Sequence, residues 1–282
     1  MVKEKTLIQK LNYLLRRAKV PKWLHHFGPK KYTSWQHLKS LFLKEELKLS
    51  YRRLIPFLPY FGIHKIPKRS TLIKFSKRLS QTYKNLLLFW SGMVKTCSVG
   101  AIDATGIERT NTSLYFVNRI HGDITKKRHI KLSLYVDVKT RQILSARVRV
   151  KPRHDVLDVK YLVQEAPIVA QTNLMDKGYD SKEVHEFFRE NGVYSIIPTK
   201  KNCQKNTYRK QMRDYFDYGQ YWQRNVIEAV IGAIKRKYGS SVSARKERTQ
   251  KTQIYLRLIL HNLCRAIARL FHLGPKTQKL YI

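Results

Sequence analysis

Apolar side chains recur at three- and four-residue steps from the start of the chain. Leu7, Ile8, Leu11, Leu14 and Leu15 line one side of a helix, which Pro21 and Gly28-Pro29 then interrupt. A second helical block follows, in which Ser34 is placed to cap a helix from Trp35 to about Leu49 and Ser50 a short one ending before Pro56. After Pro67, Ser70 is placed to cap a third helix with Leu72, Ile73, Phe75 and Leu79 as apolar positions. At Gly92 the texture changes to strands. Expected strands are Ser98 to Ile102, ending at Asp103; Leu114 to Asn118; Ile130 to Val138; and Ile143 to Val150. A helix capped by Asp155 is expected from Val156 to Glu165, then a strand from Ile168 to Met175. Next come a helix from Ser181 to Glu190, with Asp180 and Glu183 spaced as cap and N3 partner, the stop Asn191-Gly192, and a strand from Val193 to Ile197. Residues 199–220 are polar and basic and read as an irregular connection. A last helix, from about Thr252 to Leu270, is apolar enough to cover a sheet or meet a partner. Strands in a run, then alternating with helices, predict a mixed α/β domain over 97–282, preceded by an all-α basic domain over 1–96.

Between those segments lies a helix with two faces. On a wheel of about 100° per residue with Tyr221 at zero, Arg224, Glu228 and Lys235 fall near −60°, −20° and −40°, one narrow polar stripe. Val226, Ile227, Val230, Ile231 and Ile234 occupy a separate arc from about 140° to 280°. The helix is therefore expected to dock by its apolar arc and to display one acid among cations. An exposed Arg224–Glu228 pair at i,i+4 is the simpler reading of the same spacing.

Composition narrows the partners. The 282 residues are 43% hydrophobic and 27% charged, enough for a real core, but 57 Lys and Arg face 19 Asp and Glu, a formal charge of +38. Such an excess calls for a polyanion, and half of it lies in the first 96 residues. Lys68, Arg69, Lys74, Lys77 and Arg78 lie near the start of the third helix and along its polar side, so the N-terminal block reads as a helix-turn-helix-like DNA reader or as a plain basic bundle touching phosphates. Leu86 to Trp90 is far shorter than the roughly 18 apolar residues of a membrane span, and Met1 to Lys10 lacks the apolar region of a signal peptide. A cytoplasmic, DNA-associated protein without a membrane partner is expected. Cys97, Cys203 and Cys264 are too scattered for a zinc site, and adjacent His25 and His26 do not suit joint ligation.

With so few acids, their positions carry information. Phosphodiester cleavage without a covalent nucleophile uses divalent cations held by oxygens, and a few carboxylates from different elements suffice. Asp103 stands at the end of one expected strand, before Ala104-Thr105-Gly106; Asp176 ends another, before Lys177-Gly178-Tyr179; Glu228 lies on the two-faced helix. An Asp before a Gly-containing turn also commonly bonds its own backbone. Asp123 and Asp137 are the next candidates for a ligand, and Asp155 reads as a helix cap.

These segments carry a resemblance. Tyr221-x2-Arg224-x3-Glu228-x6-Lys235 resembles the signature of the DDE transposases of the IS4 and IS5 insertion-sequence families, and Asp103-Ala104-Thr105-Gly106 and Asp176-Lys177-Gly178-Tyr179-Asp180 resemble their first- and second-aspartate segments. The resemblance spans about residues 97–240. It implies an RNase H-like core, two Mg²⁺ or Mn²⁺ ions held by Asp103, Asp176 and Glu228, and DNA-contacting roles for Tyr221, Arg224 and Lys235. It further implies binding to the inverted repeats of an insertion sequence, DNA cleavage, strand transfer to target DNA, and a homodimer on DNA of prokaryotic origin. Only 51 residues separate Asp176 from Glu228, which looks closer to the compact IS5 pattern than to members with a strand-rich insertion. A nuclease of the same fold that cuts without joining, and a DNA-binding protein without catalysis, are the alternatives.

Overall fold

The structure is a computed structural model and describes residues 2–24, 27, 30–92, 94–109, 129–151, 153–200 and 207–272. The expected strand Leu114 to Asn118, together with Asp123, His25, His26 and Cys203, lies outside the described residues. Two units are distinguished, one formed by residues 1–93 with 244–282 and the other by residues 94–243.

The first unit is helical. In α1 (Val2–Arg17) the residues Leu7, Leu11, Leu14 and Leu15 are buried, as their spacing requires. α2 (Ser34–Glu46) starts one residue earlier than Ser34 suggested as cap: Thr33 accepts from the Gln36 amide and Gln36 reaches back to the Thr33 amide, a reciprocal capping box. Ser50 caps α3 (Tyr51–Leu54) as expected, and a 3-10 segment (Ile55–Phe61) follows, closed by Gly62 at a φ of 73°. Ser70 does not cap α4 (Arg69–Arg78); Lys68 occupies that position without a side-chain bond, which leaves the first amides of α4 to other partners. α5 (Gln81–Ser91), capped by Ser80, completes the N-terminal set.

Through the second unit runs a mixed sheet ordered β3-β2-β1-β4-β5. β1 (Val99–Arg109), β2 (His129–Asp137) and β3 (Ile143–Arg149) are antiparallel neighbours. α6 (Val156–Gln164) follows, then β4 (Thr172–Met175), a 3-10 turn (Lys177–Tyr179), α7 (Lys182–Glu190) and β5 (Tyr194–Ile196), with β1, β4 and β5 parallel. Then come α8 (Thr207–Asp214), α9 (Tyr218–Tyr221), a 3-10 turn (Trp222–Arg224), α10 (Asn225–Tyr238) and β6 (Ser241–Val242), which pairs parallel to the far end of β1. One face of the sheet is filled by Ile102, Tyr135, Leu144 and Met175 against Val159, Leu162 and Phe188 of α6 and α7. Backbone approach is close there, and a Cβ on Gly100 would stand 2.5 Å from the Tyr135 ring.

Several expectations are corrected. Ala104-Thr105-Gly106 is not a turn: β1 continues to Arg109 because its whole length pairs with β2. Residues 199–220 are not all irregular, since α8 and α9 lie within them. Asp155 makes no cap bond and pairs instead with Lys131, which also reaches Asp158 at 3.4 Å. Ser181, not Asp180, caps α7 through the Val184 amide. Asp137 is buried and committed to the turn that follows it, accepting from the Thr140 amide and from the Cys97 thiol. The final helix, α11 (Glu247–His272), belongs with the N-terminal helices rather than with the sheet. Its residues 252–263 are buried all round, a pattern that needs several helices about it. Thr252 donates to the Ser76 carbonyl, Arg257 to Glu45, and Asn262 to Ser91.

Candidate active site

Strand alternation decides which side of the sheet each residue of β1 serves. Ile102 enters the core on the α6 and α7 side, so Asp103 and Thr105 project to the other, where α10 packs on β1. Parallel pairing of β1 with β4 ends at Ile102 and Met175. One residue beyond on each strand stand Asp103 and Asp176, side by side. Each uses one oxygen locally, Asp103 accepting from the Ala104 amide at 2.7 Å and Asp176 from the Lys177 amide at 2.6 Å. The local bonding expected of such aspartates is present, and it orients both carboxylates.

From α10 comes the third acid. Its apolar arc docks as the wheel predicted, with Ile227, Val230 and Ile234 buried and Glu228 exposed. The preceding turn is tighter than one continuous helix, because residues 222–224 are 3-10. Arg224 donates to Glu228 at 2.6 Å and also lies 3.5 Å from Asp103 Oδ2, so one guanidinium links two of the acids. Lys235, three turns on, donates to Thr105 at 2.6 Å and ties α10 to β1. Burial pushes the Asp103 carboxyl up; the Ala104 amide and Arg224 oppose this, while Glu228 and Asp176 add to it, and the net shift is upward. Burial alone would lower the pKa of Arg224, but Tyr221 and the three acids outweigh it and hold it above its ordinary value.

Among the described residues no three His, Cys, Asp or Glu side chains are gathered as a metal site; Arg224 supplies the positive charge between Asp103 and Glu228. The donor set itself suits a hard divalent cation. It is all oxygen, Asp103 and Asp176 are oriented by backbone amides, and Asp103 shares its field with two other carboxylates. Nearby, Tyr179 carries a buried hydroxyl without a hydrogen-bond partner.

Two features were not anticipated. Asp180, 3% exposed, accepts from Arg209 Nε at 2.8 Å and Nη2 at 2.5 Å and from the Lys200 amide at 2.8 Å, and lies 3.2 Å from His185 Nε2. It thereby fastens α8 and residue 200 to the segment that follows Asp176. Beside Arg224 lies a cavity of about 410 Å³ lined by Arg213, Phe216, Tyr218, Tyr221 and Trp222. Flat rings among guanidinium groups can stack a base and hold its phosphate. The signal was present in the sequence as five aromatics, Tyr215, Phe216, Tyr218, Tyr221 and Trp222, directly after a basic stretch.

The α4 cations Lys68, Arg69, Lys74, Lys77 and Arg78 are all exposed, in the helical unit. No helix among the described residues is long and apolar enough to cross a membrane.

No curated protein matches the chain. A solved structure, a piggyBac transposase synaptic complex with hairpin DNA, is similar at 9% identity and a TM-score of 0.49, over 93% of this chain and 72% of that one. The family model described as Transposase DDE domain matches residues 96–263, more than half of the chain, and takes in Asp103, Asp176 and Glu228 together with the whole sheet. The chain belongs to the DDE transposase family.

Proposed function

We propose that this transposase binds the terminal inverted repeats of a compact, IS5-like insertion sequence, cleaves DNA at their ends and joins the freed 3′ ends to target DNA. Asp103, Asp176 and Glu228 are the proposed ligands of Mg²⁺ or Mn²⁺. The observation that carries the reading is that Arg224 links Glu228 of the docked helix to Asp103, which stands beside Asp176 where the parallel pairing of β1 and β4 ends. An RNase H-like assignment is supported by the antiparallel β1-β2-β3 group continued by parallel β4 and β5.

When bound, divalent cations supply the electrostatic stabilisation that phosphodiester cleavage requires. The residues of the chain do the rest. Arg224 exchanges its carboxylate partners for a DNA phosphate, a charge-assisted contact that its planar fork favours. Tyr221 and Lys235 hold the backbone on either side, and the exposed cations of α4 grip the end of the element. Two copies on DNA bring the two ends together.

The test is cleavage of DNA carrying the sequence that flanks the coding region. Asp103→Asn, Asp176→Asn and Glu228→Gln should each abolish Mg²⁺-dependent cleavage and leave DNA affinity largely intact. A Glu228→Gln protein with full cleavage activity would overturn the assignment.

A further inference from the structure

Lys84 is an unusual lysine. It is 6% exposed, and its ammonium stands 5.9 Å from the centre of the Tyr255 ring on the facing helix α11. Among the described residues no carboxylate and no hydrogen-bond acceptor pairs with it. On α11, Arg248, Lys251 and Tyr255 are spaced three and four residues apart and so share one face. That face brings two more cations toward Lys84. Arg248 is exposed and Lys251 half-buried, and neither side chain is paired with an acid. Both also belong to the first turns of α11, where the helix macrodipole is positive. Burial first, and then repulsion from Lys251 and Arg248, push the Lys84 pKa down to about 8.

Three cations brought together without an anion repel one another and destabilise the free protein. Such a cluster is favourable only when a negative group enters it. Phosphate oxygens meet the requirement, since each can accept from a different cation.

We propose that Lys84, Arg248 and Lys251 form an oxyanion site that takes a backbone phosphate of DNA, giving the helical unit a grip on α5 and α11 that the α4 cations do not provide. The inference rests on the DNA-acting role proposed above. It assigns to the final helix a function beyond completing the core of its unit.

The test uses the full-length chain without divalent metal and a fluorescent duplex, titrated by anisotropy over a series of salt concentrations. Lys84→Met and the double variant Arg248→Gln/Lys251→Gln should each bind more weakly. Their log–log salt dependence should be shallower by about one phosphate contact or more. Lys84→Met should melt at or above the wild-type temperature, because it removes one of three mutually repelling charges from a largely buried residue, and Lys84→Arg should recover binding. An unchanged affinity and salt slope in both variants would overturn the site. So would a Tm rise with inorganic phosphate that Lys84→Met loses while the DNA slope stays constant, which marks a small-anion site instead. Failure of the wild-type chain to bind duplex DNA at all would overturn the DNA-acting role as well.

Discussion

Replacing Asp180 with alanine removes the carboxylate that holds Arg209, His185 and the Lys200 amide together. Removing one partner of a buried ion pair costs roughly 3–5 kcal/mol because the other charge is left without compensation. Arg209 retains some access to water, at 15% exposure, so the lower end, about 3 kcal/mol, is expected. In a unit of this size about 1 kcal/mol shifts Tm by roughly 2–4 °C. Thermal unfolding of the full chain should therefore show a fall of about 6–12 °C in the transition of the sheet-containing unit. Acid dependence gives a second readout. Burial pushes the Asp180 carboxyl up, but Arg209, the Lys200 amide and His185 outweigh it and hold it below the ordinary 3.8. Its contribution is thus complete above 3.8 and is lost as pH falls through the folded value. Burial lowers the pKa of His185 below 6.5, only partly offset by Asp180. The unfolded chain takes up that proton first, so stability also declines as pH drops below 6.5. The gap between wild type and Asp180→Ala should be wide at neutral pH and close in strong acid. A loss under about 1 kcal/mol at neutral pH, or a gap that persists unchanged into strong acid, would refute the assignment of Asp180 as the clamp.

Gly100→Ala places a methyl group 2.5 Å from a Tyr135 ring atom. That ring cannot yield easily, because its hydroxyl donates to Asn173 at 2.5 Å and accepts from the Ala170 amide at 2.8 Å. A loss of about 1–3 kcal/mol is expected, read by urea denaturation; full stability would mean that the ring moves freely. Lys235→Met removes the 2.6 Å bond to Thr105 and should lower stability by only about 1–2 kcal/mol while weakening DNA binding measurably. A large fall in Tm with DNA affinity unchanged would make Lys235 a structural tie only.

Elements whose signal is local were legible in the sequence. The spacing of Leu7, Leu11, Leu14 and Leu15 fixes which side of α1 is buried, and the apolar runs of β2 and β3 give those strands to within a residue or two. Misreadings occurred where a long-range partner decides. Ala104-Thr105-Gly106 has the composition of a turn, and only pairing with residues 131–133 of β2 keeps it extended. α8 has one buried residue, Met212, and so no apolar stripe to announce it; its Arg209 is fastened to Asp180 instead. The apolar character of α11 was evident, but its choice of helices over the sheet depends on Glu45, Ser76 and Ser91, all far away in sequence.

The same division explains the candidate site. Asp103, Asp176 and Glu228 stood out because acids are scarce in this chain, and the Arg224–Glu228 pair follows from i,i+4 spacing. What spacing could not supply is the contact of Arg224 with Asp103, which converts an ordinary helix pair into a bridge between two elements. Asp103 is pushed up by burial and by the charges of Glu228 and Asp176, and Arg224 is the opposing charge that limits the rise. That charge comes from within the fold. On the function proposed above, an anionic DNA phosphate would compete for the same guanidinium, so the arrival of DNA and the freeing of the acids for a cation would be opposite sides of one exchange. Lys235 carries the second half of this logic: by holding Thr105 it ties α10 to β1, and in the proposed exchange it would keep the helix in place while Arg224 changed partners. The polar stripe therefore divides into an acid, a guanidinium that balances it, and a lysine that fixes the helix on which both are carried.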